Sequence, residues 1–223
     1  MTDKAKIKEI FASIQGEGPY IGYKQLFIRF CGCNLRCGYC DTDYDAKEAK
    51  SYSPEDLAAI VEKYKDCHSI SLTGGEPLLN TEFLKEFLPL CPIPVYLETN
   101  ATLAKQAEEI IDFIDYVSAD IKIPSCTGID NLWEVHDKFF ESCKSKDLFA
   151  KVVFDTKITE EEIAKACALG AKYGIEIIIQ PKTDKSGKTT LDSDELERIH
   201  DRFLKKYKKV RLIPQVHKFL DLR

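Results

Sequence analysis

The feature that most limits what this chain can fold into is a regular exchange of short apolar strands with helices. Ser69–Thr73, Pro94–Glu98, Tyr116–Ile121, Leu148–Phe154, Ile175–Gln180 and Val210–Ile213 read as strands. Helical stretches run between them over Thr81–Leu88, Lys105–Phe113, Leu132–Cys143 and Asp194–Tyr207. A further helix starts at Thr159, where Glu162 completes a capping box, and ends at Gly174. Strands separated by whole helices pair in parallel through crossover connections, not as hairpins. IEIIIQ, at Ile175–Gln180, is apolar almost throughout, as a strand buried on both faces should be. Upstream, Lys6–Ile14 and Gln25–Phe30 read as strands, and Ser53-Pro54-Glu55-Asp56 opens a helix with a capping serine, a first-turn proline and two acids. The expected fold is α/β: an open sheet or partial (β/α) barrel of about six mostly parallel strands with helices outside. That count falls short of the eight strands of a closed barrel. No repeat, linker or low-complexity block divides residues 1–223, so one domain is expected.

Sheets of this kind bind ligands beyond the carboxyl ends of their strands. Polar groups gather there: Gly74-Gly75-Glu76, Glu98-Thr99-Asn100, Asp120 with Lys122, and Gln180. Singly, a Gly-Gly pair is a turn and a strand-end acid is a solvated one. Their recurrence at strand after strand marks a site. Gln15-Gly16-Glu17-Gly18-Pro19 is a turn and not a dinucleotide fingerprint, because Gly16, Gly18 and Gly22 miss that spacing. Arg29 shares a strand face with Gln25 and Phe27; it is either a surface arginine or the partner of a substrate carboxylate.

The remaining signal is a cysteine loop, Cys33, Cys37 and Cys40, in C-x3-C-x2-C spacing with Tyr39 before the last thiol. Three thiolates on one loop can hold three irons of a four-iron cluster and leave the fourth open to a ligand. Two other uses stay open: a C-x-x-C redox dithiol, or a zinc staple with Cys31 as the fourth ligand. The chain has nine cysteines, no signal-peptide core in MTDKAKIKEI and no apolar run of bilayer length, so a cytoplasmic protein is expected. In a reducing compartment the clustered thiols point to metal or catalysis, while Cys67, Cys91, Cys126, Cys143 and Cys167 read as buried free thiols. A net charge of −5 offers no basic field for nucleic acid or an anionic membrane, so neither is expected as a partner.

C-x3-C-x-aromatic-C followed by Gly-Gly-Glu-Pro resembles the radical S-adenosylmethionine (SAM) superfamily. Within it, SIQGEGPYIGYKQLFIRFCGCNLRCGYCDT, SLTGGEPLL, LETN, DIKIPS, IIIQPK and PQVHKF are similar to the 7-carboxy-7-deazaguanine synthase family, nearly from end to end. The resemblance implies a lyase of queuosine and deazapurine biosynthesis that converts 6-carboxy-5,6,7,8-tetrahydropterin to 7-carboxy-7-deazaguanine with loss of ammonia. It implies a 4Fe–4S cluster on Cys33, Cys37 and Cys40, SAM on its open iron, and Mg2+ on the Thr42 hydroxyl. SAM would lie against Tyr39, Cys40, Asp41, Gly75, Glu76, Asp120, Ile121, Lys122, Gln180, Pro181, Lys182 and Thr183. The pterin would meet Ile14, Gln15, Gly16, Glu17, Arg29, Thr73 and the main-chain carboxylate of Arg223. A one-electron donor such as flavodoxin or ferredoxin and a homodimeric state are further implications.

Two positions depart from the family pattern. Tyr39 stands where tryptophan is common, and Ala101 follows Asn100 where glycine is usual, which restricts positive φ. Cys31 is an extra thiol, expected to be a bystander. The alternatives are an activating enzyme that places a glycyl radical on a partner protein, and a zinc-stapled interaction module.

Overall fold

The alternation becomes a single mixed sheet. The computed structural model describes residues 4–40, 42, 45–184 and 187–222. Among these, the strands are β1 (Ala5–Ile14), β2 (Lys24–Phe30), β3 (Lys50–Tyr52), β4 (Ser69–Gly74), β5 (Val95–Thr99), β6 (Tyr116–Asp120), β7 (Asp147–Phe154), β8 (Glu176–Pro181) and β9 (Val210–Leu212). The helices are α1 (Pro54–Val61), α2 (Thr81–Phe87), α3 (Ala104–Ile110), α4 (Pro124–Thr127), α5 (Trp133–Cys143), α6 (Glu160–Tyr173), α7 (Ser193–Leu204) and α8 (Val216–Phe219). The strand order is β3-β1-β2-β4-β5-β6-β7-β8-β9. β2 and β4 through β9 run parallel, while β1 pairs antiparallel with both β2 and β3. β3 and β9 form the two edges, so the sheet is open, as expected of a partial barrel.

Seven of the nine strands run parallel, in keeping with the expected mostly parallel sheet, and among the strands only β3 was not read from the sequence. β3 has three residues and α4 and α8 four each, too short for any period to show in sequence. The caps behave as their local chemistry dictates. Ser53 accepts from the Asp56 amide, Thr159 and Glu162 form the full capping box, and Gly174 ends α6 at φ 65°. α7 carries a second capping box, Asp192 with Glu195, that its charged sequence had hidden.

Alternation along each strand sorts residues between two faces. Leu26, Ile70, Leu97, Val117, Val152 and Ile179 point outward into one large helix-covered core. Cys67, Cys126, Cys143 and Cys167 are buried and Cys91 is half-buried, in keeping with free thiols in a packed interior. The opposite face is concave and carries a smaller apolar cluster of Tyr96, Phe149 and Ile178 near the strands' amino ends. Two residues further along the same strands stand Glu98, Lys151 and Gln180. Among the described residues no helix is long and apolar enough to cross a membrane.

Candidate active site

The polar end of the concave face encloses a cavity of about 460 Å3. Its wall takes in residues from β1, β2 and β4 through β8, so the sheet curls around it. Gly74 shapes the floor: its φ is 121°, and an added Cβ would sit 2.3 Å from the Phe30 carbonyl oxygen, so only glycine lets β4 end this close to β2.

Cys33, Cys37, Cys40, Tyr39 and Thr42 bring the cysteine loop to the wall. Cys33 Sγ accepts from the Leu35 amide at 3.4 Å and from Asn100 Nδ2 at 3.8 Å, the N–H environment that suits a thiolate ligand. Burial raises the Cys37 thiol, with the nearby Lys122 ammonium opposing it. Among the described residues no three His, Cys, Asp or Glu side chains are placed to hold one metal ion. A structural zinc ion needs four ligands, whereas a four-iron cube can take three thiolates and leave one iron open. Cys31 stands outside the cavity wall and donates to the Asp45 carbonyl at 3.4 Å. The thiols present therefore fit a cluster better than a staple.

The β4–β5 side is tied down by Glu76. Its fully buried carboxylate accepts from Thr99 Oγ1 at 2.9 Å, the Asn100 amide at 2.8 Å and the Leu78 amide at 3.1 Å. Burial pushes its pKa up to about 7 against those three donors. Ala101 beside it adopts φ 55° and is fully buried, so the loop keeps the conformation that glycine would take freely. Such a left-handed alanine costs about 1–2 kcal/mol. His136 Nδ1 lies 3.0 Å from the Ala101 carbonyl and helps to hold it.

A chain of alternating charges crosses the cavity. Gln215 Nε2 donates to Glu17 Oε1 at 2.8 Å, and Lys151 Nζ to Glu17 Oε2 at 2.5 Å. Lys151 also lies 3.3 Å from Asp120 Oδ1; Lys122 donates to Asp120 Oδ2 at 2.7 Å and to the Tyr39 hydroxyl at 3.2 Å. Burial alone would raise Glu17, but the Lys151 charge and hydrogen bond, with help from Gln215, hold it at about 2. Burial likewise opposes the charge on Lys151 and Lys122, and their carboxylate partners outweigh it, raising both.

Beside this chain, Gln15 is fully committed. Its amide donates to Gln25 Oε1 and Glu98 Oε1, both at 2.9 Å, and its Oε1 accepts from the Glu17 amide at 3.0 Å. Thr73 donates to Glu98 Oε2 at 3.0 Å. Arg29 Nε pairs with Glu9 at 3.3 Å, and its guanidinium carbon lies 5.9 Å from the Phe11 ring centre. α8 closes the wall: Val216 donates to the Gly16 carbonyl at 2.9 Å, and a Cβ on Gly16 would lie 2.5 Å from that of His217. Gln180 Oε1 is buried and finds no donor among the described residues, an acceptor facing a cavity built to receive a ligand.

Ile14, Gln15, Gly16, Glu17, Arg29, Thr73, Gly75, Asp120, Lys122, Gln180, Lys182 and Thr183 all line the cavity, as the cysteine loop does. Glu76, Ile121 and Pro181 do not: Glu76 and Ile121 are buried behind the wall, and Pro181 ends β8. Asp41 and Arg223 lie outside the described residues. The wall also includes Glu9, Lys151, Gln215 and His217, which sequence reasoning had not assigned to the site. Lys151 did carry a signal, since a lone charge in the apolar strand LFAKVVF must find a partner if the strand is buried. Gln215 and His217 were marked only by the family-like stretch PQVHKF after the last strand.

A curled parallel sheet with three cysteines at its carboxyl edge is the architecture of radical SAM proteins, and the Radical SAM superfamily model matches residues 27–179. A 7-carboxy-7-deazaguanine synthase from Geobacter sulfurreducens is 37% identical, covering 97% of each chain. One from Archaeoglobus fulgidus is 33% identical over 99% of this chain and 100% of its own. A crystal structure of QueE from Escherichia coli shares the fold with a TM-score of 0.65 at 19% identity, covering 96% of this chain and 95% of that one. The chain belongs to the 7-carboxy-7-deazaguanine synthase family of the radical SAM superfamily.

Proposed function

We propose that this chain is a radical SAM lyase that converts 6-carboxy-5,6,7,8-tetrahydropterin to 7-carboxy-7-deazaguanine with loss of ammonia, in queuosine and deazapurine biosynthesis. The observation that carries the reading is that the cysteine loop, the unsatisfied Gln180 acceptor and the Gln15–Glu17, Arg29 and Thr73 groups open onto one cavity. Cys33, Cys37 and Cys40 would hold the 4Fe–4S cluster, which supplies the electron that cleaves SAM. Lys122 braces Tyr39 over this end, Gly75 lines the wall, and Gln180 offers its free oxygen to a ligand donor. Glu76 supports from behind, holding the Asn100 backbone in place.

At the other end Arg29 offers its guanidinium to the pterin carboxylate, in exchange with Glu9. Glu17 and Glu98 present carboxylate oxygens toward the N–H edge of a pterin, each held by neighbouring donors. The Thr42 hydroxyl on the wall suits a hard cation such as Mg2+. We further take the chain as one radical SAM domain, a cytoplasmic homodimer reduced by a flavodoxin or ferredoxin.

The test is anaerobic turnover of the carboxypterin with SAM and a reductant after cluster reconstitution. Formation of 7-carboxy-7-deazaguanine with no partner protein supports the lyase. SAM cleavage without that product leaves only the superfamily chemistry and favours an activating enzyme. Stoichiometric zinc in a colourless protein favours the staple.

A further inference from the structure

The reaction as proposed leaves one buried charge without a role. Lys151 sits in the middle of β7 on the concave face and is 7% exposed. A lysine so placed must be paired to stay charged, and it has a partner on each side: Glu17 at 2.5 Å and Asp120 at 3.3 Å. Those carboxylates are tied to different elements of the wall. Glu17 stands on the β1–β2 loop beside Gln15, whose amide donates to Glu98. Asp120 ends β6 and is tied through Lys122 to Tyr39 on the cysteine loop. The Lys151 ammonium is therefore the joint between two ion-paired groups, one held on the β1–β2 loop and one tied to the cysteine loop.

We propose that Lys151 is a positioning residue that couples the seating of the pterin to the seating of SAM, through its shared ion pairs with Glu17 and Asp120. This rests on the function proposed above. A ligand that orders either carboxylate fixes the ammonium, and the ammonium then orders the carboxylate on the other side. Each ligand so prepares the site for the other, a coupling that must be reciprocal. Without Lys151 the two ends load independently, and SAM is cleaved with no pterin in register.

Turnover by the wild-type holoenzyme is established first; its absence defeats the proposed function and says nothing of Lys151. SAM affinity is then measured by equilibrium dialysis on the oxidised holoenzyme, with and without saturating carboxypterin, for wild type, Lys151→Met and Lys151→Arg at matched iron content. Under reduction, SAM cleaved per product formed is counted for the same proteins. The wild type should bind SAM at least about fivefold more tightly with the pterin present. Lys151→Met should lose that tightening and cleave several SAM molecules per product, while Lys151→Arg, keeping the charge, regains part of both. Tightening preserved in Lys151→Met, or absent from a wild type that turns over, overturns the proposal. So does a loss of affinity in Lys151→Met that is equal with and without pterin. Should Lys151→Met fail to fold, Glu17→Gln, which keeps side-chain shape, is judged by the same measurements, and preserved tightening again overturns it.

Discussion

The two halves of the concave face are built from the same strands and do opposite things. Toward the amino ends, Tyr96 on β5, Phe149 on β7 and Ile178 on β8 pack together. Tyr20 covers them, its ring 5.6 Å from Tyr96 and 4.6 Å from Tyr116, and its hydroxyl donates to Asp147. One pleat repeat further on, Glu98, Lys151 and Gln180 project into the cavity. The lower half excludes water by filling space; the upper half keeps space open and satisfies its charges in pairs. A polar site needs a dry, rigid floor for those pairs to stay strong. The aromatic plug supplies that floor without lining the cavity, so damage to the two halves should be separable.

The largest effect belongs to the upper half. Cys37→Ala should reduce iron to background after reconstitution and abolish turnover; SAM cleavage by this variant would contradict the ligand assignment. Phe149→Ala tests the plug. It should cost about 3–5 kcal/mol of stability by denaturant unfolding, as large-to-small changes in a buried aromatic core do. Its folded fraction should bind SAM as the wild type does, and impaired binding there would erase the division between the halves.

The charge pairs come next. Glu17 has a folded pKa of about 2 against an ordinary 4.5, so its contribution is fully present above 4.5 and is lost as pH falls toward 2. The shift corresponds to stability on the order of 3 kcal/mol at neutral pH. The gap in stability between wild type and Glu17→Gln should therefore narrow across that acid window, and a gap independent of pH would remove the pairing as its cause. Arg29→Ala should weaken carboxypterin binding by on the order of 2 kcal/mol, the worth of a charge-assisted hydrogen bond, and leave SAM affinity unchanged. Equal loss of both would make Arg29 structural. Smallest of all, Cys31→Ala should keep iron content and turnover, because that thiol bonds to Asp45 outside the cavity wall.

Much of the architecture was legible because its causes are local. Ser53, Thr159 and Gly174 cap helices through partners within a few residues, and strands such as Leu148–Phe154 declare themselves by an apolar run. The cysteine loop was legible for the same reason, with all three thiols inside eight residues. β3, α4 and α8 were not, being single short turns or strands stabilised by what they pack against. α8 matters most of these, since it carries His217 onto Gly16.

By itself, then, the sequence determined the parallel sheet, the thiol trio and the family, since periodicity, capping and short motifs are written in neighbouring residues. Only the tertiary structure decided which charges meet. Gln15 and Glu98 are 83 residues apart, Lys151 and Glu17 134, and Gln215 and Glu17 198. Such pairs form because burial in the curled sheet makes an unpaired charge costly, and that condition exists only once the chain has closed around the cavity.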